Sequence, residues 1–196
     1  MLSRLFTRRF TATFIVVMLL AAGGAARQNP PAPLRLLDLT GQEVDPLQTR
    51  GSKAVVFLFV RTDCPISNRY APEVRRLHQK FAGRGVGFRL VYTDADESVE
   101  MIRQHLKAYD YRLEVLRDPR HALVKLAGVR VTPEAAVFVA GRRVYRGRID
   151  NRFVAFGKTR PAPTIHDLEA ALDAILQGKA VASETTTAIG CYISEP

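Results

Sequence analysis

Two cysteines, Cys64 and Cys191, stand among 196 residues, and their surroundings differ. Cys64 follows an uninterrupted apolar run, Ala54 to Val60, and a polar turn, Arg61-Thr62-Asp63. From Ile66 onward Tyr70, Val74, Leu77 and Phe81 recur at helical spacing. Cys64 therefore falls where a buried strand hands over to a helix N-terminus. The unpaired N–H groups and the dipole there favour a thiolate over a thiol. A cysteine so placed is a nucleophile or one half of a disulfide. Asp63 opposes the thiolate, whereas Arg61 and Arg69 offset it. Ser67, three residues on, serves as a helix-start residue or as a hydrogen-bond donor to the sulfur. The four histidines, His78, His105, His121 and His166, form no ligand-like pair with Cys64, so no metal is expected. No Gly-rich phosphate loop and no Ser-His-Asp arrangement occurs, and no cofactor is expected.

The elements that must hold Cys64 read as alternating strands and helices. Leu34 to Leu39 predicts an apolar edge strand, turned by Thr40-Gly41-Gln42, and Ala54 to Val60 a strand buried on both faces. A helix follows to about Ala82, kinked at Pro72. Val86 to Thr93 is a second central strand, Ser98 to Lys107 a helix, and Leu113 to Leu116 a short strand. Asp118-Pro119 opens another helix, with Asp118 as its cap and Pro119 at its first position, ending at Gly128. Glu134 to Val139 and Val144 to Ile149 predict a hairpin across Gly141-Arg142. Asp150 to Pro163 reads as an irregular loop. Thr164 caps a last helix that stops at Gly178. Strand–helix alternation of this kind implies parallel pairing through crossover helices, an α/β fold with a mixed sheet.

The ends carry different signals. Residues 1–26 have a basic start, an apolar centre from Ala12 to Ala22 and small residues up to Ala26, which reads as a secretory signal peptide. Residues 27–33 are a proline-rich lead-in, 34–178 the domain, and 179–196 a tail that carries Cys191. The formal charge of +10 falls to +7 without Arg4, Arg8 and Arg9 of the signal segment. Basic residues are scattered with no stacking aromatic array, which argues against nucleic-acid binding. Two cysteines in an exported, periplasmic or extracytoplasmic chain suggest a disulfide. Cys191 is then a resolving partner of Cys64, one end of a permanent staple, or an independent thiol. Thr185-Thr186-Thr187 and Gly190 imply a mobile or extended tail.

The segment around Cys64 resembles the active-site turn of the thioredoxin fold. In that family a cysteine closes a central strand, a proline follows in the loop, and Ala-Pro falls in the helix; Cys64, Pro65, Ala71 and Pro72 fit that frame. Val131-Thr132-Pro133, leading into a hairpin and a last helix, matches the family's second landmark. The resemblance implies a cis Pro133 beside the nucleophile, with the Thr132 backbone pairing the substrate chain. The second cysteine of the C-x-x-C motif is replaced by Ser67, and Leu58 stands where thioredoxins carry a buried acid. The extra strand and helix before Thr132 point to the redoxin branch, the alkyl hydroperoxide reductase/thiol-specific antioxidant and TlpA-like proteins.

What the resemblance implies is an exported, antioxidant-type thiol–disulfide oxidoreductase. Cys64 is its nucleophile, Cys191 its resolving cysteine, and Pro65, Ser67, Thr132 and Pro133 line its substrate groove. Its partners are protein or small-molecule thiols and disulfides, peroxides under a peroxidase reading, and by analogy an envelope redox complex. After signal cleavage no membrane contact is expected. The peroxidase alternative departs from its family pattern at Arg61 and Phe57, and Arg146 or Arg148 would have to bind the peroxide. A third reading is a non-catalytic binding module with a structural disulfide.

Overall fold

The computed structural model describes residues 33–194; the predicted signal segment lies outside the described residues. In chain order the strands and helices begin with β1 (Leu36–Leu37), β2 (Glu43–Val44) and β3 (Ala54–Val60). Then come α1 (Pro65–Arg69), α2 (Ala71–Phe81), β4 (Val86–Tyr92), α3 (Val99–Ala108), β5 (Glu114–Arg117) and α4 (Ala122–Ala127). The chain continues through β6 (Val131–Thr132), β7 (Glu134–Val139), β8 (Arg142–Gly147), β9 (Phe153–Ala155), β10 (Lys158–Thr159), α5 (Asp167–Leu176) and β11 (Cys191–Tyr192).

Seven strands form one mixed sheet in the order β2-β1-β5-β4-β3-β7-β8. β3, β4 and β5 run parallel, as expected of strands joined by crossover helices, while β7 and β8 return antiparallel. Every residue of β3 is buried because both faces of the sheet are covered. Val56, Leu58 and Val60 pack with Val74, Leu77, Ile102, Leu168 and Leu172 of α2, α3 and α5. Val55, Phe57 and Phe59 pack on the other face with Leu123, Val124 and Ala127 of α4. The two-residue alternation of a strand thus divides one apolar run between two cores. It also fixes the direction in which β3 delivers Cys64.

Several local boundaries differ from the sequence expectation. The helix after Cys64 is broken into two at Tyr70 rather than kinked at Pro72. Pro72 sits in the first turn of α2, where its missing N–H costs nothing, and the Tyr70 N–H closes α1 onto Ile66 and Ser67. The fourth helix starts at Ala122, not at Pro119. Asp118 still caps it, but from four to six residues away, accepting the N–H groups of Ala122, Leu123 and Val124 at 2.8, 2.8 and 2.9 Å. Thr164 does not cap the last helix, which begins at Asp167. Instead the Asn151 side chain accepts the N–H groups of Thr164 and Ile165. The first strand shortens to two residues and pairs with β2 as a small hairpin. The hairpin after Gly141 ends at Gly147, not Ile149, and the loop beyond it holds the β9–β10 hairpin.

Candidate active site

Cys64 is itself the N-cap of α1. Its backbone is extended, its Sγ accepts the Ser67 N–H at 3.5 Å, and Pro65 follows at the first helical position. A sulfur thus occupies the place an oxygen usually takes at a helix start. Ser67 gives its N–H to the sulfur rather than capping the helix itself, and its buried hydroxyl has no partner elsewhere. Cys64 is 1% exposed.

Thr132-Pro133 is a cis peptide, as the resemblance implied. It brings the Thr132 carbonyl to 3.0 Å from Cys64 Sγ, where a Cys64 thiol can donate to it. Thr132 is fully buried, and its hydroxyl, like that of Ser67, has no partner elsewhere.

The tail is extended and ordered by main-chain pairing. β11 lies antiparallel to β6, with Cys191 opposite Thr132 and Tyr192 opposite Val131. That register places Cys191 Sγ 2.6 Å from Cys64 Sγ, across 127 residues of sequence. Both cysteines are unbonded thiols here. Cys64, Cys191, Ser67, Pro65, Thr132 and Pro133 therefore meet in one place.

The two sulfurs are not equivalent. Burial pushes the Cys64 thiol up, but hydrogen bonding from Cys191, from the Ser67 side chain and N–H, and from the Thr132 side chain outweighs it. The Cys64 pKa consequently lies below that of an ordinary cysteine. Burial, the hydrogen bond it gives to Cys64 and the negative charge there push Cys191 up to about 12. Of the two, Cys64 gives up its proton more readily.

A polar chain behind the turn supports Cys64 and was not visible in the sequence. The Glu97 carboxylate accepts the Thr62 N–H at 2.5 Å, and Asn68 Nδ2 donates to the Thr62 carbonyl at 3.0 Å. Asn68 Oδ1 accepts from His105 Nε2 at 2.7 Å, and His105 Nδ1 accepts from the Tyr92 hydroxyl at 2.7 Å. In the sequence Glu97 merely precedes the helix expected from Ser98, and His105 is one of four histidines without a ligand-like pair. Only the crossover of α3 onto the strand ends buries them beneath Thr62. Arg61 faces outward from the same turn to Asp63 and Asp94 at 3.0 and 2.9 Å.

The arginines considered for peroxide binding are engaged elsewhere. Arg148 pairs in a fork with Asp167, and Arg146 binds the Gly128 carbonyl and lies 3.7 Å from Glu134. Glu73, Asp150 and His166 bring ligand-type atoms within 4.8 Å of one another. However, both Glu73 oxygens hold Arg76, and Asp150 accepts from Tyr70 and Arg152. Beside the cysteines lies an apolar cleft of about 210 Å³ between Pro65, Ile66, Arg69, Phe153 and Phe156, with Cys191 in its wall.

The redoxin family model matches residues 24–172, three quarters of the chain and nearly all of the folded part before the tail. The chain belongs to the redoxin family. Among solved structures this redoxin is similar to a hypothetical protein from Sinorhizobium meliloti. The two are 26% identical with a TM-score of 0.70, covering 83% of this chain and 91% of that one. It is similar also to an uncharacterized conserved protein from Geobacillus kaustophilus, at 25% identity and a TM-score of 0.69, covering 84% and 89%. DsbF of Mycobacterium tuberculosis, solved in mixed oxidized and reduced forms, shares the fold at 17% identity and a TM-score of 0.54, covering 73% and 95%. No curated protein matches the sequence. The fold is thioredoxin-like, a central mixed sheet flanked by helices. Among the described residues, no helix is long and apolar enough to cross a membrane.

Proposed function

We propose that this redoxin is an exported thiol–disulfide oxidoreductase in which Cys64 attacks and Cys191 resolves. The observation that carries the reading is geometric: the β6–β11 register sets Cys191 Sγ 2.6 Å from Cys64 Sγ, at the start of a helix whose N-cap is Cys64 itself. The Cys64 thiolate attacks one sulfur of a partner disulfide. A Cys64–partner bond forms, the partner's S–S bond breaks, and its second sulfur leaves as a thiolate. Cys191 is held protonated by burial and by the Cys64 thiolate; once Cys64 carries the partner, the second of these causes is gone. Cys191 then gives its proton to water, from which the released partner thiolate takes one up, and attacks Cys64 Sγ. The Cys64–Cys191 bond forms, and the partner's remaining sulfur leaves. The partner disulfide is reduced by two electrons and the dithiol of this chain is oxidised; an outside thiol reductant restores it.

Pro65, Ser67, Thr132 and Pro133 shape the groove in which the sulfurs meet. Export rests on residues 1–26, with cleavage after Ala26, and places the domain of residues 34–178 and the cysteine-bearing tail in an oxidising compartment. The test is trapping. With Cys191 replaced by Ser, a disulfide-bearing substrate should accumulate as a mixed disulfide on Cys64, visible by mass, whereas the Cys64→Ser chain should trap nothing. Trapping on both variants alike, or on neither, contradicts the proposal.

A further inference from the structure

The tail does more than deliver Cys191. β6 lies outside the seven-stranded sheet and pairs with β11, so the tail covers its edge. The Ile193 N–H continues that pairing to the Arg130 carbonyl at 3.0 Å. Further back, Arg146 of β8 donates to the Glu184 carbonyl at 2.9 Å and accepts the Thr186 N–H at 3.0 Å. The Arg148 N–H reaches the Thr186 hydroxyl at 3.1 Å. Main-chain groups hold the tail at both ends, and Tyr192 points outward, 75% exposed. A seat of this kind reads an extended backbone more than a set of side chains.

Two glycines fit the tail to that seat. Gly147 has φ +148°, and a Cβ there would lie 2.8 Å from Thr186 N while overlapping the Thr186 hydroxyl and carbonyl. A Cβ on Gly190 would overlap the Thr132 carbonyl oxygen, 2.7 Å from its carbon and 3.2 Å from Pro133 N. The neighbours at Gly190 are backbone atoms, which cannot swing aside as the end of a side chain can. Cys64 is almost fully buried with β11 in place, so no outside sulfur reaches it by an in-line approach until the strand leaves.

We infer that the tail and the partner's redox-active segment exchange places on the β6 edge, and that this seat selects an extended polypeptide whose cysteine is immediately preceded by glycine. The inference rests on the proposed exchange at Cys64. A partner cysteine bonded to Cys64 must occupy the position of Cys191, opposite Thr132. Its preceding residue then occupies the Gly190 position, where only a hydrogen fits. Return of the tail brings Cys191 to the mixed disulfide and reclaims the edge the partner used. Resolution and release of the partner strand thereby become one event.

The test uses the full chain with Cys191→Ser and two peptides with the sequence of residues 187–194. One keeps the glycine before its cysteine and the other has alanine there; each carries its cysteine as a mixed disulfide with thionitrobenzoate. Cys64 attacks the peptide sulfur, a Cys64–peptide bond forms, and the coloured thionitrobenzoate anion leaves. The glycine peptide should react roughly tenfold or more faster than the alanine peptide, the ratio expected from an overlap with fixed backbone. It should also outpace the thionitrobenzoate disulfide of mercaptoethanol. In a second protein, Gly190→Ala together with Cys191→Ser, the weakened tail should let the glycine peptide react faster still. Equal rates for the two peptides overturn the selection. Peptides slower than mercaptoethanol overturn the docking while leaving exchange at Cys64 intact. Silence from all three reagents removes the exchange chemistry itself.

Discussion

Replacing His105 with Phe tests whether the polar chain beneath Thr62 holds the catalytic turn. The His105 ring is buried, with Tyr109 and Tyr111 beside it and Tyr92 edge-on at 5.7 Å between centroids. Phe fills most of that space but makes neither hydrogen bond. It leaves the Tyr92 hydroxyl and Asn68 Oδ1 without their 2.7 Å partners. Each orphaned group costs about 1–3 kcal/mol, and with partial relaxation the pair should cost about 2–4 kcal/mol. For a chain of this length that lowers Tm by roughly 5–15 °C. Adding Tyr92→Phe removes one orphan and should recover about 1 kcal/mol. The pH dependence gives a second reading of the same site. Burial holds the His105 pKa below its ordinary 6.5. Below about pH 6.5 the unfolded chain therefore takes up a proton that the folded chain refuses, and stability falls as pH drops from there to the folded value. The His105→Phe chain lacks this loss, so its destabilisation should shrink on acidification. Urea unfolding at about pH 7.5 and about pH 5.5 measures both effects. A variant within about 1 °C of the parent, with the same pH slope, would refute the reasoning.

Two further outcomes follow from the same geometry. Cys191→Ala takes the strongest donor away from the Cys64 sulfur. The Cys64 pKa should move up, read from thiolate ultraviolet absorbance against pH; an unchanged titration would mean that Cys191 does not tune the nucleophile. Asp118→Ala orphans three N–H groups at the start of α4 and should cost about 2–4 kcal/mol in urea unfolding, whereas an exposed cap would cost about 1.

Much of the fold is legible because β3 is purely apolar and bounded by turns. A run of seven residues without a polar gap has few places to go except the centre of a covered sheet. Cys64 and Thr132-Pro133 stand out for the same reason: both lie directly against central strands. The supporting residues are harder to read. Glu97 lies just before a helix that looks solvated and His105 within it, and only the packing of α3 over the strand ends buries them. The cap of α4 is displaced because Asp118 reaches forward across a left-handed His121, a conformation sequence spacing does not announce. The seat of Cys191 depends on pairing between β6 and a tail some 60 residues later, and local periodicity holds no trace of such a contact. Gly147 and Gly190 are its clearest traces, and they become meaningful only once the close approach at each is seen.

The most direct test of the central claim is a redox titration of residues 27–196, with mass mapping of the Cys64–Cys191 bond. The bond should form reversibly, with a potential above about −300 mV, where catalytic pairs lie. A bond that resists reduction below about −300 mV, or no bond at any potential, would contradict it.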